Sequence, residues 1–380
     1  MKIGIFTDTY VPEINGVVSV LEMMTRELGR EGHEVYIFCP SHPRGDDIRP
    51  GIYHFPSLKF IFYEGMRMAI PYNRSALRRI PSLDIIHSHD PGPMGLLALW
   101  ASGRYHIPHV HTYHGLYMDY RRYLPRAIRP TLGMVKSLSR LLCNRCNAII
   151  APSDQMKHEL EGYGITRAIY ALPFGVDEEE FSHEIRWNIR VALSFPNEDL
   201  LLYAGRLGVE KNLDFLLRSF RHLLSVRPSV RLIIAGDGPH RQVLERHAVN
   251  LGIAPYVVFT GFLRRRDLID LYKQTLFVFT SKTETQGLVL MEAMMAGAAV
   301  IAVGAMGPLD IISSGETGVL VEEDEDEFAR ACCRLLEDGK ERRRIGMAAQ
   351  RWARSQSSQV STRKLLEIYR GCICRSRPNI

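Results

Sequence analysis

The chain has 380 residues, a net charge of +6, 46% hydrophobic and 24% charged residues, the make-up of a globular protein too long for one ordinary core. No apolar run reaches the roughly 18 residues that span a bilayer. The opening MKIGIFTDTYVPE lacks a signal peptide's apolar region and cleavage site, so a cytosolic setting is expected. Its seven cysteines are odd in number and lack zinc spacing, so reduced thiols are expected and a bound metal is not.

Taken in order, residues 2–7 form a short apolar run ending at Asp8. A loop with Pro12 and Asn15-Gly16 leads into a helical pattern from Val17 to Arg30. Strand, glycine-bearing loop and helix begin a doubly wound domain, and Gly16 lets backbone approach a ligand phosphate. Strands are predicted at His33–Cys39, Asp84–Ser88 and His109–Tyr113, with a helix over Pro93–Gly103. In such a sheet ligands bind at the carboxyl ends of the strands. Two of these ends are rich in histidine: His87-Ser88-His89-Asp90 and His111-Thr112-Tyr113-His114. The clustering marks a polar edge, with His114 and His89 as candidates.

Between Arg121 and Asn147 there is no acid, while Arg121, Arg122, Arg126, Arg129, Lys136, Arg140 and Arg145 accumulate. Ile128, Leu132, Val135, Leu138 and Leu142 recur at helical spacing, and Tyr113, Tyr117, Tyr120 and Tyr123 precede them. This reads as a basic amphipathic helix, able to lie on an anionic leaflet or to pack its stripe on the sheet. The apolar stretch from Phe60 to Met68 suits a greasy acceptor site or the core.

A strand at Ala148–Ala151, a helix at Asp154–Gly162 and a strand at Ile169–Leu172 complete the first series. The polar stretch Glu178–Glu198 reads as a connection. A second alternation then runs from Leu200 to Val321. Its first strand ends in Gly205-Arg206-Leu207, with Lys211 close behind; a guanidinium fork and a point charge together neutralise a diphosphate without metal. Gly236-Asp237-Gly238-Pro239 is not a dinucleotide fingerprint. Glu322–Glu327 reads as a solvated helix start.

The most informative stretch is Phe277–Gly297. A buried strand, a polar loop with Glu284, and a helix opening near Gly287 with Glu292 inside it follow one another. Unpaired amides at the helix start, here those of Gly287 and Leu288, hold a phosphate, and a carboxylate on each side accepts hydrogen bonds from sugar hydroxyls. The segment suits a nucleoside diphosphate sugar.

These motifs together resemble the retaining GT-B glycosyltransferases of family four. The matching pieces are TETQGLVLME with its paired glutamates, Gly205-Arg206-Leu207 followed by Glu210-Lys211, the PFGVD turn at 173–177, and Asn15-Gly16. Asn212 stands where glycine commonly follows the lysine. Within the family, HTYHGLYMDYRRYLP is similar to a segment of bacterial diacylglycerol glucosyltransferases, with Gly115 and Arg121-Arg122 departing from it.

The resemblance implies an α/β GT-B fold of two doubly wound Rossmann-like domains facing a central cleft. Residues 1–180 would bind the acceptor, residues 181–355 the donor, and a helix over 356–380 would pack back on the first domain. It implies a catalytic set of His114, Glu284, Arg206 and Lys211. Donor contacts would come from Gly16, Arg206, Lys211, Glu284, Gly287, Leu288 and Glu292. Asp90, His114, Tyr117 and Asp119 would position acceptor or sugar. Arg121, Arg122, Arg126, Arg129, Lys136 and Arg140 would meet a membrane. Glucose would pass from UDP-glucose to diacylglycerol on the cytosolic face, by front-face attack in which the leaving phosphate takes the acceptor proton. No further cofactor is expected. GDP-mannose, a soluble glycan acceptor, or epimerisation of a sugar nucleotide are the alternatives; nucleic acid is not expected as a partner, since no recognised motif accompanies the basic stretch.

Overall fold

The computed structural model describes residues 1–60, 67–115 and 124–376. The chain divides into two compact units: Met1–Phe174 with the C-terminal helix Ser358–Ser376, and Gly175–Ser357.

In the first unit the strands are β1 (Lys2–Phe6), β2 (Glu34–Pro40), β3 (Ile52–Phe55), β4 (Ser57–Lys59), β5 (Arg67–Ala69), β6 (Ile85–Ser88), β7 (His109–Thr112), β8 (Ala148–Ala151) and β9 (Ile169–Ala171). The helices are α1 (Gly16–Arg30), α2 (Arg74–Arg79), α3 (Pro93–Tyr105), α4 (Leu132–Cys143) and α5 (Asp154–Gly162). A parallel sheet of seven strands runs in the order β3-β2-β1-β6-β7-β8-β9. The apolar runs IIHS and AIIA sit in its middle and are wholly buried, as strands covered on both faces must be. The chain steps outward from β1 to β3, then returns to pair β6 with β1. That reversal is a topological switch point, where a crevice opens at the strand ends. The C-terminal helix packs on α1 and β7, and the Tyr369 hydroxyl meets His87 Nδ1 at 2.6 Å.

The second unit contributes α6 (Glu178–Phe181), α7 (Ile189–Ala192), β10 (Asp199–Ala204), α8 (Leu213–Val226), β11 (Val230–Ala235), α9 (Arg241–Asn250), β12 (Val257–Gly261), α10 (Arg265–Tyr272), β13 (Leu276–Phe279) and α11 (Leu288–Met295). Then come β14 (Val300–Val303), α12 (Gly307–Ile311), β15 (Val319–Val321), α13 (Glu325–Glu337) and α14 (Gly339–Ser355). Its parallel sheet of six strands has the order β12-β11-β10-β13-β14-β15, with the switch between β10 and β13.

Some expectations change. The stretch Glu178–Glu198 is not a free connection: Phe181 and Ile189 are buried in the second unit's core, and Asp270 accepts the Arg186 and Trp187 amides. The basic segment is not one long helix. Pro130 precedes α4, Thr131 caps its start by accepting from the Met134 amide, and Arg126 lies on a separate 3-10 turn, Arg126–Ile128. The strand β3, the hairpin β4–β5 and α2 were not foreseen. The acidic run starts α13 only at Glu325, and Glu323 and Glu325 are paired rather than simply solvated.

Candidate functional site

At the second unit's switch point the loops after β10 and β13 come together. Thr280 Oγ1 donates to the Lys211 carbonyl at 3.0 Å, and Ser281 Oγ to that of Glu210 at 3.2 Å. Lys211 Nζ donates to Glu284 Oε2 at 2.7 Å, with about a fifth of each side chain accessible (20% and 23%). Burial alone would lower the Lys211 pKa; the Glu284 carboxylate outweighs it and holds the ammonium charged. Asn212 occupies the left-handed region at φ +55, which explains why glycine or asparagine suits it. Its amide donates to Glu323 Oε1 at 2.7 Å, and the other oxygen of Glu323 takes Lys282, so one carboxylate straps both loops. Arg206 lies half-buried just past Gly205.

The loop from Glu284 to Gly287 is pinned from the far side. The Gly307 amide donates to the Glu284 carbonyl at 2.9 Å, and a Cβ on Gly307 would lie 2.8 Å from the Gln286 backbone. Gly287, at φ +81, turns the chain into α11, so the start of this helix faces the same edge as Lys211 and Glu284. Glu292 lies within α11. It is buried, and both its oxygens are engaged: Oε1 by Arg265 at 2.6 Å and Oε2 by the Tyr272 hydroxyl at 3.0 Å. Arg265 also holds Glu180 at 2.9 Å. Neither Arg265 nor Tyr272 was singled out in the sequence. Arg265 sits in an arginine triplet, and nothing local tells which member turns inward.

In the first unit the switch-point edge carries the ends of β1 and β6. Asp90 Oδ2 accepts from the Asp8 amide and the Thr7 hydroxyl, both at 3.2 Å. Asp8 Oδ1 accepts from the Met94 amide at 3.1 Å, at the start of α3. Asp90 is thus tied to the end of the neighbouring strand β1, an unforeseen restraint on a residue expected to meet the acceptor. Next to it His114 Nε2 lies 2.8 Å from His89 Nδ1, and the His114 ring stacks on Phe174. Ser88 bridges His109 and His111 at 2.7 and 2.8 Å. Burial, followed by the neighbouring His111, pushes the His114 pKa down to about 3. These rings are neutral and bonded to one another and to hydroxyls. Among the described residues no cluster of histidine, cysteine and carboxylate is arranged around a metal. Gly16 is the first residue of α1, capped by Asn15, and a Cβ there would meet nothing within 4 Å. Its glycine is therefore not demanded by packing. Tyr117, Asp119, Arg121 and Arg122 lie outside the described residues. Of the other basic residues, Arg126, Arg129 and Arg140 are exposed, and Lys136 lies over the Tyr163 ring at 5.0 Å.

Residues 14–180 match the family model "Glycosyltransferase Family 4", and residues 185–352 match "Glycosyl transferases group 1". The alpha-monoglucosyldiacylglycerol synthase of Streptococcus pneumoniae is 32% identical over 86% of this chain and 76% of its own length. The chain belongs to glycosyltransferase family 4. It is a nucleotide-sugar-dependent glycosyltransferase with the GT-B fold. Another relative is the GDP-mannose-dependent alpha-mannosyltransferase of Mycobacterium tuberculosis, 29% identical over 97% of this chain and 96% of that one. Among solved structures, Anabaena HepE in complex with UDP and glucose superposes with a TM-score of 0.81 at 18% identity, covering 98% of this chain and all (100%) of HepE.

This family 4 chain carries a buried carboxylate pair that titrates unusually. Burial first, and the charge of Asp90 second, push the Asp8 pKa up to about 7. Burial also raises Asp90. A folded-state pKa above the unfolded value of about 3.9 means that folding takes up a proton, so stability falls as pH rises from about 4 to 7. Asp8→Asn keeps an acceptor for the Met94 amide and removes the charge. It is expected to raise stability at pH 8 by on the order of 1–3 kcal/mol and to change little at pH 4. Urea denaturation at both pH values checks this; an Asn variant less stable at pH 8 would contradict it.

Proposed function

We propose that the chain transfers glucose from UDP-glucose to diacylglycerol at an anionic membrane surface, with retention at the anomeric carbon. The observation that carries the donor half is the Lys211–Glu284 pair beside Arg206 and the α11 start, all at one switch-point edge. In this reading Arg206, Lys211 and the Gly287 and Leu288 amides bind the diphosphate and stabilise the charge that grows on it as the bond to the sugar breaks. Glu284 accepts from sugar hydroxyls. Glu292, oriented by Arg265 and Tyr272, accepts from the ribose. His114 hydrogen-bonds sugar or acceptor, with Asp90, Tyr117 and Asp119 near it in role, and Gly16 leaves room for the donor. The acceptor hydroxyl attacks the anomeric carbon, the bond from that carbon to the phosphate oxygen breaks, and the same phosphate oxygen takes the hydroxyl proton.

Support for a lipid acceptor comes from α4. On α4, Leu132, Met134, Leu138 and Leu141 are between 47% and 61% exposed, as is Ile128 on the turn before it, while Val135 and Leu142 are half-buried, so an apolar face of α4 looks outward. Arg126, Arg129, Lys136 and Arg140 accompany it. Each leucine fully buried in an acyl layer contributes about 1.5–3 kcal/mol, and each cation at an anionic leaflet about 1 kcal/mol, enough jointly for peripheral attachment. No described helix is long and apolar enough to cross a membrane. The doubly charged variant Leu138→Glu/Leu141→Glu is expected to lose flotation with phosphatidylglycerol vesicles while keeping its thermal transition; flotation unchanged would remove α4 from the membrane contact.

Purified protein with diacylglycerol vesicles and a panel of nucleotide sugars tests the whole reading. A glucolipid with α-configuration, formed from UDP-glucose and seen by NMR, is the expected product. A second reading, transfer of mannose from GDP-mannose, draws on the relative that matches nearly the full chain; a mannosylated product from the same panel would select it.

A further inference from the structure

The contact between His89 and His114 constrains where their protons sit. The two rings lie edge to edge, 24° from coplanar with centroids 5.1 Å apart, and Nδ1 of His89 faces Nε2 of His114 at 2.8 Å. His89 is wholly buried, at 0% exposure, and its Nε2 has no hydrogen-bond partner among the described residues. His87 lies against it, centroid to centroid at 4.1 Å. Burial, then the neighbouring His87, His114 and His111, hold His89 neutral. A neutral imidazole carries one N–H and one bare nitrogen.

Only two arrangements give the hydrogen bond. If His114 donates from Nε2, the single proton of His89 must sit on its own Nε2, leaving a buried N–H with no acceptor. If His89 donates from Nδ1, its Nε2 is only a bare lone pair. A buried orphan N–H is the costlier defect. We infer that His89 is a positioning residue whose Nδ1–H donates to Nε2 of His114, fixing His114 as the Nδ1–H tautomer. His114 Nε2 is then occupied as an acceptor and its other nitrogen is a donor. The ring serves transfer by donating to an oxygen and has no free nitrogen to act as a base. This rests on the functional reading above, and agrees with the acceptor proton leaving on the phosphate.

The test uses the full chain labelled with 15N-histidine. Long-range proton–nitrogen spectra near neutral pH, assigned with His89→Asn and His114→Asn, report the tautomers directly. The expected result is a protonated Nδ1 on both rings. A protonated Nε2 on His114 overturns the inference whatever the activity. His89→Asn places an amide N–H where Nδ1–H stands and is expected to keep most of kcat. His89→Leu, similar in bulk but without a donor, is expected to lower kcat about 10–100-fold with donor KM little changed. Wild-type kcat in His89→Leu would end the positioning role. Should that variant fail to fold, the wild-type spectrum still decides. The stated tautomers without transfer from any nucleotide sugar would leave the inference standing and overturn the functional reading instead.

Discussion

Lys211→Ala is expected to lower kcat by about 10²–10³-fold, the usual effect of removing one preorganised donor from developing oxyanion charge. The lysine is held by its Glu284 pair, by Thr280 on its own carbonyl, and by the Asn212–Glu323–Lys282 strap. A partly exposed pair of this kind contributes about 0–1 kcal/mol to stability, so the variant should melt within a few degrees of the wild type. Steady-state kinetics and a thermal melt together make the check. Activity above one tenth of wild type would move the phosphate site elsewhere. Glu284→Ala removes the acceptor for sugar hydroxyls together with the partner of Lys211, and is expected to abolish transfer.

Gly236→Ala should be the most damaging substitution outside the chemistry. Gly236 directly follows β11 at φ +137, a region costing about 1–3 kcal/mol for a residue with a side chain. A Cβ there would lie 1.9 Å from the Gly205 carbonyl oxygen, so backbone must move. Overpacking adds about 1–3 kcal/mol, and the sum is a large part of the 5–15 kcal/mol that holds a domain. Because Gly205 directly precedes Arg206, the same shift displaces the guanidinium. Chemical denaturation should show a loss of about 3 kcal/mol or more with an accompanying rise in donor KM. A loss under 1 kcal/mol would mean that these loops yield independently.

Much of the fold was readable because its strands are buried on both faces. Runs such as AIIA and LFVF have no other use in a globular chain, and the helices α5 and α8 carry clear caps or periodicity. β3 was missed because IYHF at a sheet edge mixes a histidine into a short run beside Gly51. The stretch Glu178–Glu198 misled because its few anchors, Phe181, Trp187 and Ile189, are scattered among charges that the fold pairs through Asp270. The length of α4 was overread because apolar spacing continues across Pro130. In the candidate site, Glu284 and Glu292 stood out as carboxylates in an apolar segment. Their partners Lys211, Arg265 and Tyr272 lie between 20 and 73 positions away in the sequence. Pairings of that kind are made by strand order, which local pattern does not encode.

The position of the last helix also bears on how the protein is made. Residues 358–376 leave the ribosome after all of the second unit, yet they pack on α1 and close a hydrogen bond onto His87. The half translated first therefore waits for its final piece until synthesis is over. A released chain ending shortly before Ser358 would hold a complete second unit and an unsealed first one, the form on which chaperones would be expected to act.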